Sequence, residues 1–182
     1  MNAEADLFGN QSIIRSAVIS PCELYRPELR RVWDASLALL VACMLNPSTG
    51  DAECDDPTIL TLIHFARFWG FGGLLIINRY PYRTSKPAEL FAVDASTRNG
   101  GPENELTIGR ALRYARENGG WMLVAWGNGG QEGAHFLVEM IACQGVTMKC
   151  LGTTQSGAPK HPMARGIHRI PRDQQPILWR AA

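Results

Sequence analysis

Four short aliphatic runs punctuate the chain, at Leu37 to Leu45, Leu74 to Ile77, Met122 to Trp126 and Val146 to Leu151. Each is continuous rather than alternating, the pattern of strands buried on both faces of a parallel sheet. The intervals between them are long enough for crossover helices, placed at Pro57 to Trp69, Glu103 to Glu117 and about Glu132 to Cys143. Asp56 and Pro57 supply an N-cap and a first helical residue, Ile59, Leu62, Ile63 and Ala66 an apolar stripe, and Gly70 a stop. Pro102-Glu103 opens the second helix, with Leu106, Ala111, Leu112 and Ala115 inward, and Asn118-Gly119-Gly120 closes it. The third helix follows the turn Gly127-Asn128-Gly129-Gly130.

Upstream of the first run, Tyr25, Leu29, Arg31 and Trp33 fall at period-two positions, so residues 12–35 read as a hairpin or an antiparallel edge strand. Downstream of Leu151 the chain turns polar and basic. The alternation of strand and helix predicts an α/β fold, a three-layer α/β/α sandwich around a mostly parallel sheet of about four strands, with an N-terminal β addition. One domain is expected over residues 1–182: a flexible stretch at 1–11, the β addition at 12–35, the α/β core at 36–152, and a functional loop and tail at 153–182.

Composition narrows the classes. With 46% hydrophobic and 19% charged residues, disorder and coiled coil are disfavoured. The longest apolar run, Leu37 to Leu45, is far short of the roughly 18 residues that cross a bilayer, so no membrane span is expected. The first ten residues carry Glu4 and Asp6 without Lys or Arg, which argues against a secretory signal and for the cytoplasm. Five cysteines with no C-x-x-C pair indicate buried thiols rather than a disulfide framework or zinc ribbon. The net charge of +1 excludes a strong uniform field for nucleic acid and leaves room for a local basic patch.

In an open parallel sheet, ligands bind beyond the carboxyl ends of the strands. Those ends here read Asn46-Pro47-Ser48-Thr49, Asn78-Arg79-Tyr80, Trp126-Gly127-Asn128 and Gly152-Thr153-Thr154. Polar, mostly uncharged groups converge there, a set suited to a flat heteroaromatic ligand with donors and acceptors on its edge. Each has a plainer explanation: Asn46 before Pro47 is a turn former, Asn78 a strand terminus, and the glycines an ordinary strand-to-helix turn. Asp56 is explained by capping, which leaves Asp55 over; no ligand cluster of recognised spacing accompanies it. His161, between Lys160 and Pro162, is the best chemical candidate of four histidines, with an exposed loop histidine as the alternative. His64 and His135 read as structural. There is no phosphate-binding P-loop motif, no H-E-x-x-H and no G-x-S-x-G elbow.

Several of these residues fall in a recognisable set: Tyr25-Arg26 with Arg31 and Trp33, Met44 to Thr49, Asp55 to Thr58, Phe65-Ala66-Arg67 with Trp69-Gly70, Asn78 with Tyr82-Arg83, Gly101 to Asn104, Ala125 to Gly127, and His161-Pro162. Over roughly Ala17 to Arg165 the chain resembles the bacterial and phage family of unknown function numbered 1643, which implies no settled activity. The order strand-Asn-Pro, Leu-Leu-Ile-Ile-Asn, Leu-Val-Ala-Trp-Gly and a late His-Pro is also similar to the uracil-DNA glycosylase superfamily. That resemblance implies a glycosylase-like sandwich in which Asn46 positions the attacking water, Asn78 reads the edge of a base, and His161 hydrogen-bonds the base oxygen that gains negative charge. Ser48, Asp55, Arg79, Tyr82, Trp126, Gly127, Asn128 and Arg165 are the supporting or binding candidates, and Arg165 with Arg169 could hold a phosphate.

Two departures bear on the substrate. Met163-Ala164-Arg165 follows His161-Pro162 where the superfamily has a Ser-Pro-Leu-Ser segment that pinches DNA, and no aromatic follows Asn46-Pro47-Ser48-Thr49 to stack on a base. Flipping a nucleotide from a duplex costs a few kcal/mol that such clamps offset. The expected ligand is therefore a nucleobase, nucleoside, nucleotide or single strand rather than a duplex, with no cofactor. Two alternatives stand beside N-glycosidic cleavage: a non-catalytic nucleotide or single-strand binding module, and a metal-assisted hydrolase or transferase using Asp55.

Overall fold

The computed structural model describes residues 12–48, 53–100, 102–130 and 134–180. The expectation of a flexible 1–11, the Thr49 and Gly101 ends of two motifs, and a third helix starting near Glu132 lie outside the described residues. Among the described residues seven strands form one sheet: β1 (Ile14–Val18), β2 (Glu28–Val32), β3 (Leu39–Met44), β4 (Gly73–Asn78), β5 (Trp121–Val124), β6 (Thr147–Cys150) and β7 (Ile177–Leu178). Five α-helices accompany them among the described residues: α1 (Pro57–Phe68), α2 (Pro87–Ala92), α3 (Ala95–Asn99), α4 (Pro102–Glu117) and α5 (Ala134–Cys143).

The sheet order is β1-β2-β4-β3-β5-β6-β7. Strands β4, β3, β5 and β6 run parallel, β1 and β2 join antiparallel at one edge, and β7 joins antiparallel at the other. The described sheet is mixed and seven-stranded: to the parallel β4-β3-β5-β6 run and the N-terminal addition, which pairs onto β4 through β2, the tail adds β7, a strand the sequence reading did not expect. Among the described residues no helix is long and apolar enough to cross a membrane.

Side-chain parity along the strands sorts the core onto two faces. Leu40, Ala42, Met44, Leu74, Ile76 and Leu123 pack with Ile59, Leu62, Ile63, Phe65 and Ala66 of α1. Val41, Cys43, Leu75, Ile77, Met122 and Val124 pack with Ile108, Ala111, Leu112 and Ala115 of α4 and Leu137 and Ile141 of α5. The α1 stripe is the one its spacing predicts, and Asp56 caps the helix by accepting from the Ile59 N–H at 2.9 Å. On α4 the expectation for Leu106 is corrected. It is 65% exposed, and Ile108 takes its place. The wheel gives the reason, since 108, 111, 112 and 115 share one stripe while 106 lies about 200° from 108.

From β3 the chain passes through α1 to β4 on one side and later through α4 to β5 on the other. The strand order therefore reverses at β3, and the connections diverge to opposite faces of the sheet. A crevice opens at the carboxyl ends of strands where this happens.

Candidate functional site

That crevice is a cavity of about 440 Å³, a volume suited to a small planar ligand. It is lined by Met44, Leu45, Asn46 and Ser48 after β3, Ile76 and Asn78 of β4, Trp126 after β5, and His161 beyond β6. Asp56, Thr58, Ile59 and Leu62 at the start of α1 form a wall, with Arg26, Thr84, Ser85 and Gly129 completing it. Asn46, Asn78 and His161, separated by up to 115 positions, thus meet around one space. Strand parity places the two amides: Asn46 continues the Leu40-Ala42-Met44 series and Asn78 the Leu74-Ile76 series, both turned toward α1.

Each amide is half engaged. Asn46 Nδ2 donates to the carbonyls of Pro47 at 3.0 Å and Thr84 at 2.8 Å, and its Oδ1 makes no hydrogen bond among the described residues. Asn78 Nδ2 donates to the Arg26 carbonyl at 3.2 Å, again leaving Oδ1 without a protein donor among the described residues. The backbone under Asn78 is held from below by buried Asn104 of α4, whose Nδ2 donates to the carbonyls of Asn78 at 3.4 Å and Arg79 at 3.0 Å. The cavity therefore holds two fixed acceptors whose orientation the backbone supplies.

His161 carries the most specific geometry. The backbone N–H of Met163 donates to its Nδ1 at 3.1 Å. A ring nitrogen that accepts carries no proton, so the neutral imidazole bears its hydrogen on Nε2 as a donor. Burial lowers its pKa from 6.5 by disfavouring the imidazolium, opposed in part by the charge of Asp56. The His161 backbone segment lies beside the turn after β5: Gly127, at φ +71°, donates its N–H to the Pro159 carbonyl, and a Cβ there would lie 3.6 Å from His161 Cβ. Left-handed backbone at that point favours glycine. At Gly130 the reason is different, since a Cβ would stand 2.1 Å from Trp126 Cδ1. Trp126 is 2% exposed, and its indole N–H makes no hydrogen bond among the described residues.

Ser48 reaches the cavity through Asp56, donating its hydroxyl to Oδ2 at 2.8 Å. Asp56 is thus both the α1 cap and the carboxylate on the cavity wall. Sequence reasoning assigned it the first role only, and chose Asp55 for chemistry. Asp55 is instead 7% exposed in an ion pair with fully buried Arg31 at 2.6 Å, with Arg15 at 3.4 Å. Two guanidiniums compensate its charge, and among the described residues no three His, Cys, Asp or Glu side chains gather as a metal site. Arg26, Thr84 and Ser85 were also missed. Arg26 lay in the Tyr25-Arg26 motif, but nothing in its spacing told a site residue from a core one.

Other candidates fall elsewhere. Arg79 has the opposite parity to Asn78 and turns to the α4/α5 face, where Nη1 donates to the Gly130 carbonyl and the guanidinium lies 4.7 Å over Tyr80. Tyr82 packs edge-on to Tyr25 with ring centroids 6.1 Å apart. Asn128 is exposed, its Oδ1 accepting from Ser156 Oγ at 3.0 Å. Arg165 lines a separate cavity, together with Pro162.

The fold and this site together define an α/β protein with an amide-, imidazole- and carboxylate-lined cavity at the carboxyl ends of its parallel strands. The chain belongs to the family described as a protein of unknown function, DUF1643, whose family model matches residues 26–163. The match begins at Arg26 and ends two residues after His161, so it spans every described residue that lines the cavity. No curated protein and no solved structure matches the chain.

Proposed function

We propose that the cavity takes the base of a nucleobase-containing substrate and promotes cleavage of its N-glycosidic bond. The observation that carries the reading is the neutral His161, held with Nε2–H as donor beside two asparagine acceptors in one cavity. We further infer a three-layer α/β/α sandwich of the uracil-DNA glycosylase kind. What supports this is the run β4-β3-β5-β6, with Asn78 at the end of β4, Asn46-Pro47 after β3, Trp126-Gly127 after β5 and His161-Pro162 in the loop beyond β6.

In the proposed reaction, water adds to the anomeric carbon as the C–N bond breaks and its electron pair leaves on the base. Negative charge grows on a base carbonyl, and a fixed neutral donor such as His161 Nε2–H stabilises it without reorganisation. Asn78 offers one acceptor and one remaining N–H to the edge of the base. Asn46 Oδ1 accepts from the attacking water and orients it, but an amide does not take its proton. Asp56 supplies the carboxylate that can.

Mass spectrometry of free base, after incubation with a panel of nucleosides, nucleotides and single-stranded oligonucleotides, tests the proposal. Release from at least one substrate is expected, falling by roughly 100-fold in His161→Ala, the scale of losing one oxyanion donor. Base binding without release, unchanged in His161→Ala, would replace it with the second reading, a non-catalytic binding module. The specific observation favouring that module is Asn46 itself, an amide where an acid would activate water more strongly.

A further inference from the structure

Beyond His161 the chain carries three arginines to one place. Arg165, Arg169 and Arg172 line a second cavity of about 440 Å³ with Thr61, Phe65 and Pro162, and among the described residues no carboxylate lines it. Among the described residues none of the three side chains makes a hydrogen bond or ion pair, and neither does Asp173, the next residue along. Like charges facing one space repel one another, and an anion there removes the repulsion while engaging planar donors suited to phosphate.

The segment bearing them is tied down. A single 3-10 turn, Gly166–His168, sets Arg165 and Arg169 at its two ends. His64 Nε2 of α1 holds the Arg172 carbonyl at 2.8 Å, Trp69 Nε1 donates to the Gln174 carbonyl at 3.1 Å, and Ile170 is buried against the α1 side of the core. The base cavity and the arginine cavity are neighbours along one helix. Thr58, Ile59 and Leu62 of α1 face the first, and Thr61 and Phe65 face the second. His161 lines one and Pro162 the other, so adjacent residues of the chain border both cavities.

We propose that Arg165, Arg169 and Arg172 bind the phosphate of the substrate whose base enters the adjoining cavity, which makes the substrate a nucleotide or a single strand rather than a free base or nucleoside. This rests on the base-binding reading above. The test compares four probes by isothermal titration: nucleosides, their 5′-monophosphates, a short mixed-sequence single strand, and an abasic strand of the same length. Wild type is expected to bind monophosphates or the strand at least tenfold more tightly than nucleosides. The triple variant Arg165→Gln, Arg169→Gln, Arg172→Gln should abolish that advantage with nucleoside affinity and melting temperature unchanged. If the strand is the ligand, the log–log salt dependence should flatten by about 0.7 for each phosphate that the variant no longer neutralises. Preference for monophosphate or for strand identifies the source of the phosphate, and either supports the site. An abasic strand that binds wild type and not the variant, with no nucleoside bound, keeps the phosphate site and sinks the base reading. Nucleosides bound as tightly as their phosphates, or phosphate affinity unchanged in the triple variant, overturns the phosphate site.

Discussion

His161 shows how a backbone contact can settle the chemistry of a side chain. Its Nδ1 is occupied as an acceptor by the Met163 N–H, so protonation would set two donors against each other. Burial already holds its pKa below 6.5. The unfolded ring titrates near 6.5 and the folded ring lower, so the unfolded chain binds the proton first. The stability tied to neutral His161 is therefore complete above pH 6.5 and declines as pH falls through and below that value. Nitrogen-15 NMR should show a neutral ring protonated on Nε2 at pH 7, titrating below 6.5, with base release declining as the ring protonates. A neutral ring protonated on Nδ1 would remove the donor on which the proposed chemistry depends, and a pKa above 6.5 would overturn the neutral form that burial favours. This residue was legible in the sequence as a candidate, because prolines and glycines flank it, but its tautomer was not. No residue pattern announces a hydrogen bond from a neighbouring backbone N–H.

At the scale of elements, the entry to α1 separates two adjacent carboxylates into different tasks. Asp55→Asn should cost about 3–5 kcal/mol, the scale of breaking a buried ion pair, since it leaves fully buried Arg31 without its charge partner. Urea denaturation would measure that loss, and ligand affinity of the folded fraction should be unaffected. Asp56→Asn should be nearly silent in stability because asparagine caps a helix as well as aspartate does. It should reduce base release and lower the His161 pKa further by removing a facing negative charge. A large stability loss in Asp56→Asn with unchanged turnover would make that residue a cap and nothing more. The long, strongly patterned elements were readable: the stripe of α1 and the four aliphatic strands appear within a few residues of their expected bounds. The short ones were not, because α2, α3 and β7 span six, five and two residues, too few for a period to declare itself. Parity along a strand could have sent Arg79 to the α4/α5 face, since it follows Asn78 by one residue.

On the scale of the whole molecule, the cavity depends on parts of the chain far apart in sequence. Its amides come from β3 and β4, its imidazole from beyond β6, and its tryptophan is packed by the tail. Trp179, next to β7, stands edge-on to Trp126 at 5.3 Å and donates its indole N–H to the Gly157 carbonyl at 3.0 Å. Trp179→Ala should cost about 3–5 kcal/mol, and base affinity should fall with it because Trp126 lines the cavity. Differential scanning calorimetry with titration on the folded protein would separate the two effects, and unchanged affinity would show that the Trp126 wall needs no support. The convergence of Asn46 and Asn78 was arguable from strand ends alone, since parallel sheets gather such ends in one crevice, whereas His161, beyond the end of β6, was joined to them only by the glycosylase resemblance. Support from Trp179 was not, because it rests on a two-residue strand.

The closing pair of tryptophans has a practical corollary for anyone handling this protein. A truncation that stops at residue 163, where the family model ends, would sever β7 and strip the indole that backs Trp126. Such a shortened chain would expose an aromatic face on the α4/α5 side and tend to clump. Affinity tags are therefore better placed ahead of β1 than close behind Trp179.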